Sequence, residues 1–279
     1  NFLKAGFMAV ANGEWFVVMQ GEADAPAQFV NSADELQAAL DAATESVNLV
    51  LGADIKGNVT ATQKKDINVT IDGNGQSFDG SLLIKGQSRY EGEETLTVKN
   101  INFVTESTAA MDFVSSPNTE TSYRYAHNVT VDNCTFTAPE GSEVVAVRFY
   151  QSYNVVVKNC VVSGGHSLAQ ITSSTNVDFE NVTSEAGRGV NLGNSLAGVA
   201  NFVNCNITAT KTDGYGIRVD AKGANVMNVK GCEITAYEPI VLRNAQAAFE
   251  VNIANTTLTL ANGGTEEIVV KGETPVINK

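Results

Sequence analysis

From Leu96 onward, apolar and polar residues alternate with a period of two in short runs, and every run breaks phase at the same kind of residue. Leu96-Thr97-Val98-Lys99-Asn100-Ile101-Asn102-Phe103 sets the template; Val129-Thr130-Val131-Asp132-Asn133-Cys134-Thr135-Phe136 and Val155-Val156-Val157-Lys158-Asn159-Cys160-Val161-Val162 repeat it. Further copies run over Val177 to Asn181, Phe202 to Ile207, Val226 to Ile234 and Val251 to Leu258. Such alternation predicts strands with one buried face. The break falls on Asn100, Asn133, Asn159, Asn181, Asn204 and Asn255, with Gly231 at the equivalent place. Asn and Gly tolerate a left-handed backbone, so each copy reads as strand, sharp bend, strand. The copies recur every 22 to 33 residues or so, a solenoid period.

A third strand precedes each pair, at Val145 to Phe149, Leu168 to Ile171, Val190 to Leu192, Ile217 to Val219, Ile240 to Leu242 and Ile268 to Val270. Three short strands per turn, with no helical runs between them, predict an all-β fold, a right-handed single-stranded parallel β-helix. Near the N-terminus, Ser32-Ala33-Asp34-Glu35 has capping-box spacing, and Leu36, Ala39, Leu40 and Ala43 follow at helical intervals. A short helix at about 32–44 is expected to plug the open apolar end of the stack. Upstream, Asn12-Gly13 between two apolar runs signals a hairpin. Residues 1–27 are therefore expected to be an appended β-hairpin or the tail of a preceding module, and 28–279 the β-helix domain.

Through the stacked Asn bend and the N-terminal cap, the chain resembles the pectate-lyase-like right-handed β-helix superfamily over roughly residues 28–279. The resemblance implies a fold and leaves the chemistry open. The abundance of Asn, Thr, Gly and Ala, with few Lys, also resembles secreted or surface proteins of gut bacteria, which implies a bacterial protein at or beyond the cell surface.

Charge then narrows the partners. The 279 residues carry 18 Lys plus Arg against 31 Asp plus Glu, a net charge of -13. That field repels a phosphate backbone, so nucleic acid is not expected. No run approaches the roughly 20 apolar residues of a membrane-spanning helix, so no membrane insertion is expected. Cys134, Cys160, Cys205 and Cys232 share one inward template position. Strands about 4.8 Å apart suit a ladder of buried thiols better than disulfides, whose Cβ atoms lie about 3.8 Å apart. Seven N-x-[ST] sequons follow from Asn bends preceding β-branched residues.

Candidate chemistry collects on the third strand. Its outward positions predict one column of Arg148, Gln170, Asn191 and Arg218, and a second of Tyr150, Thr172, Asp220 and Arg243. Neighbouring loops pair aromatic with basic residues at Arg89-Tyr90, at Tyr123-Arg124-Tyr125 and at Tyr153. Tyr can stack on a sugar ring and Arg can pair with a uronate or sulfate, so these residues predict a polysaccharide or cell-surface glycan ligand; alternatively, the tyrosines cover coil edges. Gly164-Gly165-His166 and Gly216-Ile217-Arg218 resemble the Gly-His-Gly and Arg-Ile-Lys elements of polygalacturonases. That family also implies clustered aspartates, and only Asp220, with Asp213 nearby, is on offer here; His166 is expected in a loop. Asp178 and Glu180 share one strand side as a solvated pair. Calcium-dependent lyases imply several carboxylates converging on a cation, a cluster that cannot be assembled from the outward positions. No catalytic residue, metal or cofactor is therefore assigned. The leading expectation is a noncatalytic, adhesin-like or glycan-binding surface protein, followed by a polysaccharide-degrading hydrolase or lyase, then a structural spacer.

Overall fold

The computed structural model describes residues 7–12, 15–20, 26–86, 92–105, 109–114, 126–193 and 197–279, and the chain winds into the expected right-handed parallel β-helix. The first strands of successive coils form an 11-stranded sheet running from Ala27–Val30 to Val276–Asn278. The second and third strands share one 16-stranded sheet, because Thr135–Tyr150 and Val161–Thr172 each run through both positions without a break. All pairings in these sheets are parallel, as in Leu96↔Val129 and Val155↔Val177. Apart from them, Phe7–Asn12 and Trp15–Gln20 pair as an antiparallel ribbon in which Asn12 faces Trp15.

The alternating residues do what their pattern requires. Val98, Val131, Val157, Phe179, Phe202 and Val229 point inward, fully buried, in the core of the first sheet. Phe103 stacks between Phe78 and Phe136 of the adjoining coils at centroid separations of 5.5 and 5.1 Å. Such ring pairs contribute about 0.5–1.5 kcal/mol beyond their buried area. The bend residues pile in single file. Asn100, Asn133, Asn159, Asn181, Asn204 and Asn255 have φ between 49° and 56°. Gly231 completes the file with φ 65°, where a Cβ would stand 2.5 Å from Asn204 Oδ1.

Side-chain amides tie the file together. Asn133 donates to Asn100 at 2.8 Å, Asn181 to Asn159 at 3.1 Å, and Asn204 to Asn181 at 3.4 Å. Asn159 departs from the pattern and donates to Asp132 at 2.8 Å. A second file of left-handed residues, Asn128, Asn154 and Asn176, marks the bend between third and first strands, and Asn154 and Asn176 donate along it at 3.1 and 3.2 Å. Two of the seven sequon residues, Asn128 and Asn133, thus have their amides engaged, with the Gly92 carbonyl and with Asn100. All four cysteines are buried free thiols. A hydrogen bond with Cys160, together with burial, pushes the Cys134 thiol far up, and Cys232 and burial do the same for Cys205.

The helix Ala33–Ala42 closes the N-terminal end with Leu36 and Leu40 in the same core. Ser32 caps it by accepting from Glu35 N, while the Glu35 carboxylate accepts from Asn31 N at 2.8 Å rather than completing a reciprocal box on Ser32. Gln37 exchanges two hydrogen bonds with the Thr60 backbone at 2.8 and 3.0 Å. The last helical turn carries no basic residue of its own. Lys64 supplies the charge from the next coil, donating to the carbonyls of Leu40, Asp41 and Ala43 at 2.7–3.0 Å.

Candidate functional site

The third strands stack with the register read from the sequence. Arg148, Gln170, Asn191 and Arg218 follow one another in a single outward column, which Val241 and Val269 continue in register. Two residues on, Tyr150 pairs with Thr172 and Thr172 with Gly193, while Asp220 pairs with Arg243 and Arg243 with Lys271. Tyr150 is 45% exposed; Arg148, Gln170, Asn191 and Arg218 are half-buried. Asp220 differs from its expected open position: it is 5% exposed and accepts from Arg243 at 3.0 Å and from Asn244 at 3.2 Å. Arg89, Tyr90, Tyr123, Arg124 and Tyr125 lie outside the described residues. Tyr153 stands away from the third strands: it opens Tyr153–Lys158 in the first sheet and stacks on the buried His127 at 5.1 Å.

A further cluster gathers where the third strands begin. His166 belongs to the strand Val161–Thr172 and not to a loop. Arg188 Nη1 lies 2.9 Å from His166 Nε2, and Arg188 Nη2 donates to Asp213 at 2.9 Å. A guanidinium can only donate, so His166 Nε2 must accept and the ring is neutral, with its proton on Nδ1 facing Ser167 Oγ at 3.2 Å. The electrostatics agree. Burial pushes His166 below the usual histidine range; Glu143 pulls against this, and Arg188, Lys211 and Arg218 reinforce it. The Glu143 carboxylate, largely exposed, lies 3.7 Å from His166 Nε2.

Arg218 is held from two sides. Its guanidinium lies 4.0 Å over the Tyr215 ring, and its Nε donates to Asn191 Oδ1 at 3.0 Å across one coil. Neither contact uses the terminal nitrogens, the pair of donors that a carboxylate can accept from together. Arg188 approaches the same ring at 5.8 Å. Burial pushes the Tyr215 hydroxyl up, although Arg218, Arg188 and Arg243 oppose it, so the ring is a neutral platform. Among the described residues, no three His, Cys, Asp or Glu side chains converge as a cation site.

Sequence reasoning missed Glu143, Arg188 and Tyr215. Arg188 had a signal in the coil period, since it follows His166 by 22 residues. The model of glycosyl hydrolases family 28 matches residues 27–268. The chain belongs to this family. The two short segments that resemble polygalacturonase elements both fall inside the family 28 match, two coils apart, and Arg188 on the coil between them touches His166 and shares the Tyr215 ring with Arg218. Similar solved structures include L. reuters 100-23 SRRP, at 12% identity, covering 92% of this chain and 99% of that one, with a TM-score of 0.49. Alginate lyase from Paenibacillus sp. str. FPU-7 is similar at 11% identity, 91% and 99% coverage and a TM-score of 0.32. Endopolygalacturonase I from Stereum purpureum is similar at 13% identity, 90% and 96% coverage and a TM-score of 0.32. Likeness at these levels decides nothing about activity. No curated protein matches the chain in sequence.

Proposed function

We propose that this family 28 member is a polysaccharide-degrading enzyme acting outside the cell on an anionic glycan, bound along the third strands, with residues 1–27 an appended β element. One observation carries the reading beyond the family match. The chain has six arginines, and the four among the described residues, Arg148, Arg188, Arg218 and Arg243, all lie on third strands. In a chain of net charge -13 this gathers the cations on one face, with Asp213 and Asp220 answering two of them. Arg218, pre-oriented by Asn191 and Tyr215, would hold a uronate carboxylate, and Tyr150 would offer its ring to a sugar face.

Glycoside hydrolysis needs a proton for the leaving oxygen and a second carboxylate. Glu143 is the carboxylate of this cluster that no Arg or Lys neutralises; its neighbour is the neutral His166. It is the assigned proton donor. Asp213 stands three coils from it, about 14 Å along the axis at about 4.8 Å per strand, beyond the roughly 6.5–9.5 Å of an inverting pair.

A second reading, binding without cleavage, is favoured by a separate observation. Asp213 and Asp220 are both paired with arginines, so both carboxylates are already committed to cations of the protein. Incubation with polygalacturonate and with sulfated glycans, reading both new reducing ends and affinity, separates the two. Cleavage lost in Glu143→Gln with binding retained supports the enzyme. Binding without any new ends supports the second reading, and neither binding nor cleavage overturns both.

A further inference from the structure

The second strands carry a cleft that the site above does not use. Lys56, Asp79, Val104 and Thr137 stand in one outward column on successive strands, the first three ending Ile55–Lys56, Ser77–Asp79 and Asn102–Val104. They floor a cleft of about 590 Å³ walled by Thr105, Ala138 and Pro139. The wall has a local cause. After Thr137 the strand register shifts twice before Val145, so the chain leaves the outline of its neighbours as a shoulder. That shoulder lies tight against the next coil: at Gly164, whose φ is 78°, an added Cβ would come within 2.0 Å of Ala138 O. The volume lies in the range of small-ligand sites, and four strands about 4.8 Å apart give a floor about 14 Å long, the size of a short oligosaccharide.

The lining names the ligand class. Lys56 Nζ and Asp79 Oδ2 sit 3.1 Å apart with side chains 87% and 54% exposed, so donor and acceptor stand side by side and open to solvent. Val104 beside them is 47% exposed, and Pro139 faces the floor as a second apolar surface. Neighbouring hydroxyls of a sugar would satisfy the charged pair while its C–H face covers Val104 and Pro139. The one cation is neutralised by the one anion, so nothing draws a uronate here, in contrast to the arginine strip. We propose that this cleft binds a neutral oligosaccharide, so that a polysaccharide with a charged backbone and neutral branches would meet the protein on two faces.

The test is a titration of the isotopically labelled chain with neutral arabino- and galacto-oligosaccharides, with trigalacturonate as control, following backbone amide shifts. Saturable shifts at Val104, Thr105, Thr137 and Ala138 are expected. Affinity should fall about tenfold in Asp79→Ala and be unchanged in Arg218→Ala. An exposed ion pair adds little stability, so Asp79→Ala should fold; Thr137→Arg, which fills the floor, is the second variant and should abolish the shifts. No saturable shift at millimolar sugar, shifts confined to the third strands, or tighter binding of trigalacturonate in the cleft would each overturn the proposal. Failure of the anionic-glycan reading has a different signature: trigalacturonate would leave the strands of Arg148 and Arg218 unmoved.

Discussion

The first-strand face and the third-strand face are built on the same backbone with opposite electrostatics. On the first, Asp72, Lys99, Asp132, Lys158 and Glu180 occupy one column in alternating sign, with ion pairs at 3.4 and 3.5 Å. Beside it, Asp178, Asn201, Asn228, Asn252 and Asn278 form a ladder of hydrogen bonds at 2.6–2.9 Å. Lys99 and Lys158 each find a carboxylate one coil away. On the third, Arg188, Arg218 and Arg243 recur on successive coils but in three different columns; Arg188 pairs with Asp213 and Arg243 with Asp220, while Arg218 is held by the Tyr215 ring and the Asn191 amide. Alternating sign within one column closes the first face on itself, whereas the third face holds one guanidinium on a ring and an amide and not on a carboxylate. The difference between a structural face and a binding face therefore lies in the order of side chains and not in the coil geometry.

The comparison can be broken most sharply at a bend. Asn159→Ala should cost about 2–3 kcal/mol, summing a left-handed Ala at about 1–2 kcal/mol with a lost hydrogen bond, and leave glycan affinity unchanged. Urea unfolding checks the first part and a binding titration the second. Arg218→Ala should do the reverse. It should weaken binding of an anionic glycan by about tenfold to a hundredfold, the worth of a hydrogen-bonded ion pair, with the unfolding midpoint nearly unmoved.

Acid separates the two faces by sign. His166 lies below its ordinary value of 6.5, so its contribution to stability is fully present above pH 6.5 and is lost as pH falls through its lowered folded value. Asp72 acts in the same direction. Burial raises its carboxyl, but hydrogen bonds from Asn100 and Asn74 and the charge of Lys99 outweigh burial and hold it low, so its contribution is lost in stronger acid. Stability should thus fall as pH drops below 6.5 while affinity for an ionised glycan rises, because protonated His166 adds positive charge to the strip. Calorimetry and binding across that range would show opposite slopes; parallel slopes would refute the assignment of His166 to the strip. The smallest effect is expected at Lys158→Ala, which removes a partly exposed ion pair with Asp132 and should cost under about 1 kcal/mol in denaturant unfolding.

Much of this was legible beforehand, for particular reasons. The Asn file from Asn100 to Asn255 was readable because a left-handed bend admits few residue types. The column Arg148, Gln170, Asn191, Arg218 was readable because period-two alternation sets which side of a strand a residue occupies. The second bend file at Asn128, Asn154 and Asn176 escaped, since Gln151 and Ser173 share its left-handed turn and blur the composition. His166 escaped for a related reason: Gly164 and Gly165 before it suggest a loop, yet both take positive φ inside a continuous strand. Burial of Asp220 was unreadable because it depends on Arg243 reaching back across one coil.

The sequence by itself determined the winding, the inward and outward sides, the buried thiols and the capped N-terminal end, because each follows from a local rule repeated every coil. Only the tertiary structure decided that Glu143 reaches His166, that Arg188 links His166 to Asp213, that Arg218 rests on Tyr215, and that the shoulder at Ala138 and Pro139 encloses a cleft. Those contacts depend on how far long side chains reach between coils and where a strand slips register. Neither distance is written in the periodicity of the chain.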